Sequence, residues 1–241
     1  MGCWSLWSYA ALPELKNIAE QIAEKYSARV KLRPGGGIKS DTSIGKKVAV
    51  ETKDRYDKVI DAAATSVIFH NVADLRRAKE KLIDDPRVYE VRDRFGNPLI
   101  GGYEDVNIKI GLSNGYVGEL QLQLEWLYEV KETICHQIYD LIKGLHEIGS
   151  DEATELENEA IKISEAIYSS TSAAKSFALS SVHLSALKKM WDALSRSSTS
   201  SILDPLILNN LRDALLKTKG MPSLSKYSRS DDFPSIGNVP P

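Results

Sequence analysis

A chain of 241 residues, 27% of them charged, is long enough for one sizeable core plus an appendage. Its 31 Lys and Arg stand against 33 Asp and Glu, and a net charge of −2 argues for neither a nucleic-acid binder nor an acidic-membrane binder. No stretch approaches the ~18 apolar residues a membrane helix needs, and two cysteines, Cys3 and Cys135, make no disulfide framework.

The summed charge hides an uneven distribution. Residues 29–58 carry Arg29, Lys31, Arg33, Lys39, Lys46, Lys47, Lys53, Arg55 and Lys58 against four acids, whereas 147–165 is acidic. The start, Met1-Gly2-Cys3, hints at acylation, but Leu6 stands where the myristoylation pattern takes Ser or Thr. It also lacks the basic segment and long apolar run of a secretory leader. The expected location is the cytoplasm.

Residues 13–27 read as a helix, with Pro13 in its first turn and Leu15, Ile18, Ala19, Ile22 and Ala23 on one face. Val30 and Leu32 begin a strand that Pro34-Gly35-Gly36-Gly37 breaks. The basic segment 38–48 falls partly on a helix. Residues 59–69 start as the end of a turn or helix and become a strand, on the β-branched and aromatic residues from Thr65 to Phe69. Asn71 has the chemistry of an N-cap, and Val72, Leu75, Ala78 and Leu82 form a helical face that ends before Pro86. A second strand covers 88–94. After turns at Gly96-Asn97-Pro98 and Gly101-Gly102, a third covers 103–112, with Val106, Ile108 and Ile110 on one side. Asn114-Gly115 makes a tight turn into a fourth strand, 116–124. There Glu119, Gln121 and Gln123 alternate with Leu120, Leu122 and Leu124.

The first connection contains a helix, which is compatible with parallel strands, and the last two strands form a hairpin. The expectation is an α+β fold, a mixed β-sheet flanked by helices. Residues 125–147 are helical on Leu127, Val130, Ile134, Ile138, Leu141, Ile142 and Leu145. Further helices follow at 151–169, 177–195 and 204–217, with a serine-rich linker at 195–201 and a disordered stretch from Gly220. The expected organisation is a core over 1–147, a helical extension over 148–219 and a tail over 220–241.

Two acids sit in unusual places. Asp61 lies just before a strand and Glu119 within one, where acids are depleted and costly unless paired or metal-bound. Carboxylates from neighbouring strands can hold Mg²⁺ against a triphosphate, although a single strand acid more often faces water. Lys39, Lys46 and Lys47 can hold phosphates as point charges. Gly35-Gly36-Gly37 is not a P-loop, because no Gly-Lys-Ser/Thr follows at the required spacing, and a solvated basic turn is the plainer reading. Tyr103, after two glycines, can stack on a base, or fill a core. His136 and Tyr139 fall on one helix face with Glu129 and Glu132. That is not His-Glu-x-x-His, so zinc is not expected. His70, His146 and His183 have no neighbours that suggest a site, and Cys135 reads as a small core residue.

Taken in order, these segments resemble the RelA/SpoT-type pyrophosphokinase (alarmone synthetase) domain over residues 14–145. Lys39, Ser43, Ile44 and Lys47 match a Lys-x-x-x-Ser-Ile-x-x-Lys segment that binds ATP phosphates in that family. Asp61 matches a magnesium ligand at the head of a strand. Gly102-Tyr103 matches a pair whose ring stacks on the acceptor base. Glu119 and Gln121 match a Glu-x-Gln strand that carries the second magnesium ligand and catalytic carboxylate, and His136 and Tyr139 match a His-x-x-Tyr helix. The resemblance is greatest to divergent members of phage-associated and polymorphic-toxin proteins. It implies a nucleotidyltransferase-like core that uses Mg²⁺ and transfers pyrophosphate from ATP to the 3′-hydroxyl of a nucleotide or an RNA end. Catalysis would rest on Glu119 and Asp61, the metal on the same two carboxylates, and nucleotide binding on Lys39, Ser43, Lys47, Tyr103, Gln121 and His136. It also implies an immunity or partner protein and delivery by a secretion system, with no role for DNA or a membrane.

Several positions depart from the family pattern. Gly37, Ala64 and Gln123 stand where relatives have arginine, and Leu99-Ile100-Gly101 where they have Pro-Lys-x-Asn. Arg92, Arg94 and Lys109 are the cations available to compensate. The alternative is a non-catalytic module of the same fold that binds a nucleotide or a protein.

Overall fold

The computed structural model describes residues 3–33, 35–50, 59, 61–172, 186, 187, 189 and 190. It divides into two compact units, one of residues 1–95 and 105–125, the other of residues 96–104 and 126–241. The boundary expected after residue 147 falls inside the second unit. Most of the helices expected at 177–195 and 204–217, and the tail from 220, lie outside the described residues.

The first unit is built on a mixed five-stranded sheet. Its strands are β1 (Arg29–Leu32), β2 (Ala64–Phe69), β3 (Val88–Asp93), β4 (Val106–Gly111) and β5 (Val117–Leu124), in the order β1-β2-β5-β4-β3. Only β2 and β5 pair in parallel; β1 with β2, β4 with β5 and β3 with β4 are antiparallel. The strands either side of the first helical connection, β2 and β3, therefore run the same way but are not neighbours. The β4–β5 hairpin turns at Asn114-Gly115 and inserts β5 between β2 and β4. Gly115 takes φ +81°, which the turn requires.

Alternation decides the two faces of β5. Leu120, Leu122 and Leu124 join the core. A Cβ at Gly118 would come within 3.0 Å of Leu15 on α1 (Cys3–Lys25), so glycine there lets the helix approach the strand. Pro13 lies inside α1, not in its first turn, because the helix already begins at Cys3. The missing proline N–H costs α1 one hydrogen bond, in a helix anchored by the fully buried Leu15 and Ala19. α3 (Val72–Ile83) buries Leu75, Ala78 and Leu82, and Asn71 caps it by accepting from Asp74 N–H at 2.8 Å. α2 (Asp41–Val50) is started by Ser40, whose Oγ accepts from Ser43 N–H at 3.2 Å.

In the second unit the expected single helix over 125–147 has an interruption. α4 (Glu125–Val130) passes through a π-helical turn, Lys131–Cys135, into α5 (His136–Ile148). Gly149, at φ +64°, ends α5, and Ser150 opens α6 (Asp151–Ser172) by accepting from Ala153 N–H. Ile138, Leu141 and Leu145 of α5 and Ala153, Ala160, Ile163 and Ile167 of α6 are all buried. Tyr103 does not begin a strand. β4 starts at Val106, and Tyr103 belongs to the loop 96–104 of the second unit.

Candidate functional site

The polar face of β5 is largely buried. Glu119 is 7% exposed and Gln123 1%, so these side chains answer to protein partners, not to water. Strand register supplies the partners. Lys109 of β4 lies directly across from Glu119 and Asn107 across from Gln121, while on the other side Ala64 and Ser66 of β2 face Glu119 and Gln121. Lys109 Nζ donates to Glu119 Oε2. Gln121 Nε2 donates to Glu119 Oε1 at 2.8 Å, and Gln123 Nε2 donates in turn to Gln121 Oε1 at 2.7 Å. Ser66 Oγ closes the ladder by accepting from Gln123 Nε2 at 3.1 Å.

Asp61 reaches the same region from the turn before β2. Gly37 carbonyl accepts from Ala64 N–H at 2.9 Å, and Lys39 N–H donates to Ala62 carbonyl at 2.8 Å. This short antiparallel contact lays the basic segment along the Asp61 turn. Ile44, Val48, Val59 and Ala62 then form a small apolar cluster under Tyr116, which holds α2 against the same turn. The Tyr116 hydroxyl donates to Val59 carbonyl at 3.1 Å, and burial pushes its pKa up to about 12. As a result Lys39 Nζ lies 3.0 Å and Lys47 Nζ 2.9 Å from Asp61 Oδ2.

A cation that the sequence reading did not place completes the group. Arg33 Nη1 donates to Asp61 carbonyl at 2.7 Å, and Arg33 Nη2 is 3.7 Å from Glu119 Oε1. Continuing the β1–β2 register one residue past Leu32↔Thr65 sets Arg33 beside Ala64, with Glu119 on Ala64's far side. The small alanine leaves a guanidinium on β1's end free to reach across. Gly37 has φ +96°, a left-handed backbone in which an arginine would be strained. Of the three compensating cations expected, Lys109 is at the site. Arg94 pairs with Asp105 at 2.9 Å and Arg92 with Glu90 at 2.7 Å.

Both carboxylates are held ionised. Burial alone would raise Asp61, but the bonds from Lys47 and Lys39 outweigh it and bring its pKa down to about 2. Burial would likewise raise Glu119, and Lys109, then Arg33, holds it below the ordinary range. Four cations, Lys39, Lys47, Lys109 and Arg33, gather around the two carboxylates, an arrangement that suits a polyanion. Asp61 Oδ1 is buried and accepts no hydrogen bond among the described residues. An orphan carboxylate oxygen beside a second carboxylate is donor chemistry that fits a hard divalent cation. Among the described residues no cluster of three or more His, Cys, Asp and Glu could hold a metal, so such an ion would share its shell with water and phosphate.

The remaining expected residues are less centrally engaged, or lie in the second unit. Ser43 is exposed and accepts from Ser40 Oγ at 2.9 Å. His136 opens α5 and is bonded to Asp140 at 3.3 Å, which raises its pKa. Of its expected partners on that face, Glu132 acts on it through its charge, which adds to the rise that Asp140 produces. Tyr139 is exposed, with Lys143 Nζ 4.6 Å from its ring centroid. His70 and His146, for which the sequence suggests no site, pair with Glu125 at 2.9 Å and Glu157 at 3.3 Å. Cys135 is a buried thiol, as expected, with a pKa pushed up by burial to about 12.

No protein-family model matches the chain, and no curated protein does. Solved structures do. The type VI effector Tas1, in complex with its immunity protein, is similar at a TM-score of 0.53 and 21% identity, over 69% of this chain and 93% of that one. The small alarmone synthetase 1 of Bacillus subtilis, bound to its product pppGpp, is similar at 0.50 and 18%, over 69% and 90%. A GTP pyrophosphokinase family protein of Streptococcus pneumoniae is similar at 0.50 and 16%, over 74% and 92%. With its mixed five-stranded sheet and flanking helices, this chain has the fold of the small alarmone synthetases and of the effector Tas1.

Proposed function

We propose that the chain is an ATP-dependent pyrophosphokinase that modifies the 3′-hydroxyl of a nucleotide or of an RNA end. The observation that carries this reading is the pair of buried carboxylates, Asp61 and Glu119, enclosed by four cations at the edge of β2 and β5. Lys39 and Lys47 share a single oxygen of Asp61, so that one carboxylate neutralises at most one of their two charges. These two lysines bind the ATP phosphates. Arg33 and Lys109 stabilise the charge that develops as the pyrophosphoryl group transfers.

The acceptor oxygen forms a bond to the β-phosphorus. The bond from that phosphorus to the oxygen shared with the α-phosphate breaks, AMP leaves with that oxygen, and the hydroxyl proton passes to Glu119. Because Glu119 is held below the ordinary carboxylate range, its proton affinity is low. Orienting the hydroxyl is the larger part of its contribution. Asp61 and Glu119 are the residues that would hold Mg²⁺, which would neutralise charge on the triphosphate. Gln121 steadies the Glu119 carboxylate through its 2.8 Å bond. The roles of Tyr103 as the platform for the acceptor base and of His136 as a secondary contact come from the family resemblance.

Likeness to an effector crystallised with its immunity protein supports a further part of the proposal. The product poisons growth, a dedicated partner protein neutralises the enzyme, and a secretion system delivers it. The test is product chromatography from labelled ATP with Mg²⁺ and GDP, GTP, AMP, ADP or tRNA. Transfer to one acceptor, lost in Glu119→Gln by at least ~100-fold, is the expected result; equal turnover in that variant would refute the assignment. Ala64 and Gln123, where the resembled family has arginine, favour a second reading as a non-catalytic nucleotide-binding module. Calorimetry showing ATP binding with no product from any acceptor would establish it.

A further inference from the structure

The loop that carries Tyr103 is folded onto α6. Ser164, 4% exposed, donates its hydroxyl to Gly101 carbonyl at 2.7 Å. Gly102 lies so close to the helix that a Cβ there would come within 3.0 Å of Glu165 Cα. Both glycines have left-handed backbone, at φ +87° and +83°. The loop also closes on itself, with Leu99 N–H on Tyr103 carbonyl at 3.1 Å and Gly102 N–H on Leu99 carbonyl at 2.8 Å. This conformation brings the Tyr103 ring edge-on to the buried Tyr168 of α6, with centroids 6.0 Å apart. Lys131, the first residue of the π-helical turn, sets its ammonium 5.4 Å from the Tyr103 centroid. π-helical turns interrupt helices frequently at functional sites.

A tyrosine ring with an ammonium beside it is the chemistry that recognises a nucleotide. The ring offers a stacking face to the base and the ammonium a charge to the phosphate. We propose that α6 is part of the acceptor-binding machinery: Ser164 and Tyr168 are positioning residues that hold Tyr103, and Lys131 meets a phosphate of the acceptor nucleotide. This rests on the reading of Tyr103 as the acceptor platform. The helix expected as a mere extension then decides how tightly the acceptor binds, while ATP binding depends on the carboxylates and cations of the first unit.

Steady-state kinetics of the full chain test this, with ATP and whichever of GDP, GTP, ADP or AMP is the best acceptor. The variants are Tyr103→Ala, Ser164→Ala, Ser164→Thr and Lys131→Met. Losing the Ser164 bond is expected to raise the acceptor KM roughly threefold to tenfold, with the ATP KM unchanged and Ser164→Thr restoring wild-type values. Lys131→Met is expected to shift the acceptor KM the same way. It decides the matter alone if Ser164→Ala does not fold, because Lys131 is 24% exposed. A raised acceptor KM in Tyr103→Ala, with Ser164→Ala and Lys131→Met both within twofold of wild type, would overturn the role of α6 and leave the platform standing. An unchanged acceptor KM in Tyr103→Ala would sink the platform and this inference together.

Discussion

Arg33 and Lys109 approach Glu119 from opposite sides, one from the end of β1 and the other from β4. Lys109 belonged to the cations weighed as replacements for missing arginines. Arg33 did not, because its partner depends on a strand register that no local pattern encodes. Replacing Arg33 by Ala is expected to cut kcat/KM for ATP by roughly tenfold to a hundredfold, the scale of a lost charge-assisted contact. Arg33→Lys restores only part of it, since an ammonium lacks the planar fork whose two nitrogens serve the Asp61 carbonyl and Glu119 separately. Full activity in Arg33→Ala would remove it from the site. Asp61 gives a pH signature. Its folded pKa, about 2, lies below its ordinary 3.8, so the stability it contributes is fully present above about pH 4 and is lost as pH falls towards 2. The contribution is about 2 kcal/mol. Urea midpoints measured from pH 5 to pH 2 are therefore expected to fall more steeply in wild type than in Asp61→Asn. Parallel slopes would mean that the lysines do not hold this carboxylate.

Elements were legible where a local signal was complete. Asn71 carries its own capping chemistry, and the face of Leu75, Ala78 and Leu82 repeats at helical spacing, so α3 appears as expected. Asn71→Ala is expected to lower stability by about 1 kcal/mol, read as a drop in thermal midpoint with nucleotide binding unchanged. No drop would show that the Asp74 N–H finds another acceptor. The elements that departed from expectation did so for non-local reasons. Pro13 is tolerated inside α1 because packing of Leu15 and Ala19 outweighs one missing hydrogen bond. Tyr103 follows glycines whose left-handed backbone turns the loop onto α6, so β4 begins later. The π-helical turn leaves no mark in the apolar spacing of 125–147, yet it interrupts the helix between Val130 and His136.

At the scale of the whole molecule, net charge misleads. The sum of −2 argues for neither a nucleic-acid binder nor an acidic-membrane binder, whereas four cations gather around two carboxylates at the β2–β5 edge in a partly buried setting. Binding responds to this local field, not to the total. Raising salt from about 0.05 to about 0.5 M is expected to weaken ATP binding roughly tenfold, measured by calorimetry. Affinity that does not change with salt would mean that the lysines stay on Asp61 and do not engage the phosphates.

By itself the sequence determined the α+β class, the hairpin at Asn114-Gly115, the alternation that sends Glu119 and Gln121 to one face, and the candidacy of Asp61, Lys39 and Lys47. Each of these follows from backbone period, turn chemistry or the cost of an acid in a strand, and such properties act over a few residues. Tertiary structure alone decided the rest. It inserted β5 between β2 and β4, set Lys109 across from Glu119, brought Arg33 over Ala64, and joined the Tyr103 loop to α6. Those outcomes depend on which strands and helices bury one another's apolar faces, and that choice is made between segments far apart in the chain.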